Sequence, residues 1–383
     1  MSIKKSHASG TTHKSHNPSL KLVRYRRLSP LVSYWQGDQL VFENFAIRQR
    51  ITADAIICEI LQFCSEWRSL REVESHLKKY SKSSLRETLN QLWLHGLLAR
   101  SDKKCDPRVK LMDTWNAWNP AAGFFHFSTK DQQFDEDSWT SIRTLQKYAK
   151  SHPMPVPVKE YRRAPGIELP RADSATEFPR VLKERRTWRK YSADPVPLEA
   201  LAATLELTFG IQSWAEIPGL GRASMKTSPS GGSLHPVEAY VLARRVKGLR
   251  QGIYHYNAAQ HSLEWLRSGI PKQDLQRSLG HQHWFADTAF LVLMTAVFGR
   301  TRWKYDFARV YRAILLEAGH LCQTFCLTAT WQGLAPFCTI ALADTKWESL
   351  LGIDGITESV IYAAGAGMRP ADDRGAHIGK ISE

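Results

Sequence analysis

The sequence predicts an α+β protein, an α/β sandwich preceded by a winged-helix-like module. Three observations point there. From residue 179 onward, helical patterns are interleaved with strand candidates. One of these, Ala289–Phe298, is apolar throughout except for a single Thr, which reads as a strand buried on both faces. Residues 35–105 carry three short helical patterns followed by a small strand. The 383 residues are 43% hydrophobic and 10% aromatic, with 13 Trp. That is enough for two domains or three and for a sizeable core, and it excludes wholesale disorder.

The first 34 residues are expected to be a basic flexible tail. Lys4, Lys5, Lys14, Lys21, Arg24, Arg26 and Arg27 occur with no acid among the first 27 residues. The module at 35–105 opens on a strand candidate, Leu40-Val41-Phe42, and continues with the helical pattern Ala53–Phe63. Ser69-x-x-Glu72 and Ser84-x-x-Glu87 both fit the capping box, in which a hydroxyl and a carboxylate satisfy free amides at a helix start. The second box would open Leu85–Leu94, with Gly96 ending that helix before Leu97-Leu98. Two uses of such a module stay open. One is DNA binding, with Arg86, Asn90, Gln91 and His95 able to reach bases. The other is docking a peptide or packing on a neighbour.

Residues 106–178 read as an irregular Pro/Trp-rich linker or wrapping segment. Trp115, Trp118 and Phe124, Phe125 and Phe127 suggest that part of it packs down. In the next segment, helices are expected at Phe178–Arg186 and from Pro197 to Phe209. Strands are expected at Val237–Val246, Gly252–Tyr256, Ser262–Arg267, Phe337–Ala341 and Val360–Ala364, and Lys304–Trp331 reads as one long helix. The domain runs to residue 371, and 372–383 is a tail.

Charge and cysteine content narrow the class. The balance of 52 basic against 37 acidic residues, +15, favours anionic partners without choosing among them. The apolar run near residue 290 is far shorter than the ~20 residues of a membrane span, so no membrane association is expected. The N-terminus lacks the apolar core of a secretory signal, and the six Cys contain no C-x-x-C pair. A reducing cytoplasm is the expected compartment. No metal site is expected. His281-x-His283 has no acidic or Cys partner nearby, and Cys322 and Cys326, one helical turn apart, read as core.

Three clusters carry chemistry. Arg185-Arg186-Thr187-Trp188-Arg189-Lys190 gathers cations and a hydroxyl close to a helix end, and guanidinium forks match phosphate bidentately. Ser228-Pro229-Ser230-Gly231-Gly232-Ser233-Leu234-His235 pairs glycines with hydroxyls, so the backbone can approach a flat polar heterocycle. It is neither a G-x-G-x-x-G fingerprint nor a Walker loop. Lys304-Tyr305 joins a cation to a phenol that it can hold as phenolate. Each cluster alone also fits an ordinary surface or loop.

Taken in order, the clusters resemble the flavin-dependent nitroreductases, and more narrowly the SagB-type dehydrogenases that oxidise azolines in ribosomal peptides. The resemblance rests on Arg185-Arg186-Thr187-x-Arg189, Pro229–Pro236 with Glu238 and Tyr240, and Gly252–Tyr256. It continues through Lys304-Tyr305, Glu317-x-Gly319-His320, Gln323, Gly333-Leu334 and Gly365-x-Gly367, and it covers about residues 115–370. It implies FMN at the interface of a homodimer. Arg185, Arg186, Thr187 and Arg189 would hold the phosphate and ribityl chain, with Arg369 a second phosphate cation. Pro229, Ser230, Gly231 and Ser233 would line the ring, Gly333 and Leu334 would donate amides, and Gln323 would lie close by. Ser233 stands where simpler nitroreductases often carry Asn. Lys304 and Tyr305 would be catalytic, Tyr305 as the base, with oxygen the expected final oxidant. The partners implied are a modified peptide and a cyclodehydratase. An NAD(P)H-dependent nitro- or quinone reductase, and a DNA-binding regulator using the N-terminal module, are the alternatives.

Overall fold

The computed structural model describes residues 22–133, 138–152, 157, 169–170, 175–219 and 221–371. Most of the N-terminal tail, most of the Pro-rich stretch after residue 152 and the 372–383 tail lie outside the described residues. The chain forms two compact units, residues 1–109 and 110–383.

In the first unit, Arg24–Arg27 pairs with Arg68–Ser69 on one side and Leu98–Arg100 on the other. A separate meander joins Leu31–Gln36, Gln39–Asn44 and Gln49–Thr52. Helices Ile56–Phe63, Leu70–His76 and Lys82–Leu94 bury Ile57, Ile60, Val73, Leu85, Leu89 and Leu92 in one core. The capping box at Ser69 and Glu72 is complete. Glu72 accepts from the Ser69 amide at 2.7 Å while Ser69 Oγ accepts from the Glu72 amide at 3.3 Å. The box expected at Ser84 does not form. Ser81 caps the third helix instead, taking the Ser84 amide at 3.1 Å. With that donor satisfied one turn earlier, Glu87 bonds Gln91 along the helix.

The second unit is built on a six-stranded sheet. Its spatial order is Ser262–Ser268, Gly252–Asn257, Val237–Ala243, Phe290–Val297, Glu358–Met368, Leu334–Thr339, with every neighbouring pair antiparallel. One face packs on Leu198–Phe209 and the long helix Tyr311–Trp331, through Leu201, Leu205, Leu321 and Phe325. The other face packs on Lys272–Ser278 and Asp344–Leu351, through Leu275, Trp347 and Leu351. A central strand in such a sandwich meets apolar layers on both sides. That is why Phe290–Met294 is unbrokenly apolar and fully buried.

The 106–178 segment is more regular than its composition suggests. Pro107–Leu111, Ala121–Ser128 and Ser138–Ser151 are helical, and Met112–Trp118 forms tight turns. Trp115 and Trp118 are completely buried in the second unit. Their indoles donate to the carbonyls of Ile356 at 2.9 Å and Tyr305 at 3.1 Å.

The helix expected over 304–331 is broken. Phe298–Lys304 ends at an extended Tyr305, and the long helix begins only at Tyr311. At the break the Tyr305 carbonyl is taken by Trp118. Lys304 and Tyr305 therefore close a short helix rather than open a long one.

Candidate functional site

Helix Glu177–Glu184 stops one residue before Arg185, whose backbone is non-helical. The following loop is pinned by Trp188, which is buried and donates its amide to the Pro336 carbonyl at 3.0 Å. The Arg369 guanidinium lies 5.6 Å over the Trp188 ring and donates to the carbonyls of Leu334 and Thr330, each at 3.0 Å. The structure thus brings the loop carrying Arg185–Arg189 to Arg369 and to the turn at Gly333, which has a φ of 73°. Arg189 Nε is buried with no hydrogen-bond partner. Among the described residues, Arg185, Arg189 and Arg369 form no ion pair with a carboxylate. A buried donor without a partner is costly, and this orphaned guanidinium N–H, beside two further cations that pair with no carboxylate, matches an oxygen-rich anion. The residues present therefore fit the phosphate end of FMN.

The second loop sits on the long helix. Ser228 Oγ meets Thr324 Oγ1 at 2.9 Å, and His320 Nδ1 lies 3.4 Å from the Pro229 carbonyl. Ser230 Oγ donates to Glu317 at 2.5 Å and accepts the His235 amide at 3.0 Å. Glu317, His320 and Thr324 are spaced so that they share one helix face. The Ser230 hydroxyl is therefore engaged within the loop, which leaves its backbone for a ligand. Gly232, Ser233 and His235 have φ of 71°, 56° and 40°, and left-handed residues outside Gly concentrate at functional loops. Pro229 and Gln323 are exposed beside this loop, and Leu334 is buried at the start of its strand.

The third cluster converges on the second. A side chain at Gly232 would meet Lys304 Nζ and the Tyr305 hydroxyl, each at 2.9 Å. Both functional heads therefore crowd the same glycine, a position with no Cβ to exclude them. A cavity of ≈ 310 Å³ opens there, walled by Trp214, Arg222, Gly232, Arg300, Trp303 and Lys304.

Several contributors were not singled out as site residues from sequence. Glu317 is buried, and burial raises its carboxyl above the usual range. His235 is lowered to about 4, by burial first and then by the positive charge of Lys226, so it is neutral at physiological pH. Arg300 donates to the His235 carbonyl at 2.9 Å and pairs with Glu238. Glu238 in turn holds His255 at 3.1 Å, and Glu264 holds its other nitrogen at 2.8 Å. The sequence signal for Glu238 and His255 was their place inside the family-like motifs. Trp118 was marked only as a packing aromatic, and Arg300 carried no signal.

This network is pH-dependent. His255 is raised to about 8, chiefly by its hydrogen bond to Glu238. A group that binds its proton more tightly when folded contributes fully below its unfolded value, near 6.5, and loses that contribution as pH rises through the folded value. The melting temperature should therefore fall between pH 6.5 and pH 8, and His255→Gln should flatten that slope in differential scanning calorimetry. An unchanged slope in the variant would remove His255 as its source.

Comparison with known proteins places this domain in a class. Residues 182–368 match the Nitroreductase family, so the chain carries a nitroreductase family domain with the corresponding α+β fold. The family is one of oxidoreductases that typically bind flavin. A Methanocaldococcus jannaschii protein that carries the name of a nitroreductase is 29% identical over 173 residues, 45% of this chain and 83% of its own. The trifolitoxin-processing protein TfxB of Rhizobium leguminosarum bv. trifolii is 30% identical over 147 residues, 37% of this chain, and the match spans only 39% of TfxB. Among solved structures, the E. coli microcin synthetase McbBCD complex with truncated pro-MccB17 bound shares 20% identity at a TM-score of 0.42, covering 61% of this chain and 94% of that one. A Desulfovibrio desulfuricans structure in complex with FMN shares 19% at 0.35, covering 53% and 89%. No described helix is long and apolar enough to cross a membrane.

Proposed function

We infer that this protein is an FMN-dependent dehydrogenase of the SagB type, oxidising an azoline ring in a modified peptide to the aromatic azole. The observation that carries this reading is the meeting of Lys304 Nζ and the Tyr305 hydroxyl at Gly232, beside an open cavity. A simple nitro- or quinone reductase has no evident use for a base held in that place. Similarity to the trifolitoxin-processing protein TfxB supports a processing role.

Tyr305 takes the proton from the ring carbon next to the peptide carbonyl. Lys304 places its positive charge 5.5 Å from the Tyr305 ring centre, beside that base. When bound, FMN would supply a hydride acceptor for the neighbouring ring carbon. Arg185, Arg186, Thr187, Arg189 and Arg369 would hold its phosphate and ribityl chain. The 229–233 backbone, with Ser233, and the Gly333–Leu334 amides would border the ring, with Gln323 nearby. Trp214 and Trp303 supply apolar walls for the heterocycle.

Two copies pair across the long helix, whose outer face exposes Leu316 at 63% together with Gly319 and Gln323. The first unit docks the peptide, or a cyclodehydratase that delivers it, at a groove of ≈ 700 Å³ lined by Leu22, Leu70, Arg71, Lys78, Lys82 and Arg86. Arg86, a candidate for base contact, pairs with Glu74 at 3.5 Å.

The test is mass spectrometry of an azoline-bearing peptide incubated with the purified yellow protein. Loss of two hydrogens per ring is expected. Consumption of NAD(P)H with the peptide unchanged would replace this reading with that of a reductase.

A further inference from the structure

Cys322 and Cys326 lie in the core, as the sequence suggests, and Cys338 packs against them there. The sulfurs of Cys322, Cys326 and Cys338 all lie within 4.8 Å of one another. Cys322 and Cys326 come from successive turns of the long helix and share one face. Cys338 comes from the strand Leu334–Thr339 that packs beneath that helix. We propose that these three thiols form a trithiolate site for a soft monovalent cation, Cu(I). The proposal goes beyond the dehydrogenase reading and stands without it.

Geometry, ligand chemistry and surroundings converge on this assignment. A metal–sulfur bond of about 2.3 Å puts the sulfurs of a trigonal site about 4 Å apart, which small rotations of these side chains reach. Thiolates select Cu(I), Zn(II) and iron–sulfur clusters over harder ions. A structural zinc site closes with four ligands. Among the described residues, no His, Asp, Glu or fourth Cys joins the three sulfurs. Iron–sulfur clusters likewise take four protein ligands, so three-coordinate sulfur points to Cu(I).

The surroundings suit a metal held by thiolates. Cys322 and Cys326 are 3% and 4% exposed, and Cys338 is half-buried, which leaves an entry path. The Tyr362 hydroxyl donates to Cys338 Sγ at 3.6 Å, the kind of outer contact that orients a metal ligand. On binding, three S–H protons leave for solvent as three metal–sulfur bonds form, and no electron moves. The ion would tie the long helix to its strand next to the loop that begins at Arg185.

The experiment uses the full-length, reduced protein with its flavin, under anaerobic conditions. Cu(I) is offered from a bicinchoninate complex and Zn(II) in a parallel sample, followed by desalting. One retained Cu(I) per chain is expected, with X-ray absorption showing three sulfurs at about 2.3 Å. Cys338→Ser should lower that retention at least tenfold with flavin content unchanged, whereas Cys58→Ser/Cys105→Ser should keep it. No retained copper, a shell with fewer than three sulfurs, retention of zinc in preference to copper, or undiminished retention in a folded Cys338→Ser would each overturn the assignment. The absorption measurement on the unaltered protein decides the matter if the variant fails to fold.

Discussion

Tyr305→Phe is expected to lower turnover on an azoline peptide by ~100- to 10,000-fold, the usual worth of a positioned general base. The ring stays in place, so its contact with Phe307, at a centroid distance of 6.0 Å, is kept and only the hydroxyl is lost. Flavin content and visible spectrum should be unchanged, because neither the Arg185–Arg189 loop nor Gly333 is touched. Lys304→Met should give a smaller loss in kcat, because the hydroxyl of Tyr305 is kept while the neighbouring positive charge is lost. Steady-state rates with a purified azoline peptide decide the matter. Unchanged turnover in Tyr305→Phe would remove that residue from the chemistry.

Arg185→Ala/Arg189→Ala should yield a colourless protein. Hydrogen bonds to charged groups contribute roughly 1.5–3 kcal/mol each, so each guanidinium lost should weaken FMN binding by about 10- to 100-fold. The fold should survive, since Arg189 Nε has no partner to lose. The flavin-free melting temperature of Arg189→Ala should accordingly match or exceed that of the unaltered protein. Fluorescence titration with FMN measures the first effect and calorimetry the second. Tight FMN binding by the double variant would move the phosphate site elsewhere.

What the sequence made legible follows from how local each signal is. Phe290–Val297 could be read because an apolar run buried on two faces needs no context. The hairpin Gly252–Asn257 with Ser262–Ser268 could be read from two strand patterns flanking a turn. The break before Tyr311 could not. Nothing in Lys304–Tyr311 forbids a helix, since the stretch has neither Pro nor Gly. The Tyr305 carbonyl is claimed by an indole 187 residues away along the chain. The same limit applies to Ser84-x-x-Glu87, whose motif was sound but whose helix starts earlier at Ser81. In the site, charge clustering and paired glycines marked the two loops. The side chains that fasten the second loop, Glu317 and Arg300, belong to other elements, and only the folded sheet and helix bring them to it. Cys338 escaped notice for that reason too, being a dozen residues from Cys326 and on a strand rather than the helix.

The indole of Trp118 gives the segment ahead of residue 179 a bearing on chemistry that it does not itself perform. The stretch matching the Nitroreductase family starts at residue 182. A truncated enzyme beginning there would keep every residue of the phosphate loop and the glycine loop. It would lose the two buried tryptophans, and with them the prop under the backbone that aims its phenol. On the proposed function, such a fragment could still take up flavin, yet the residue proposed as its base would be left without a brace.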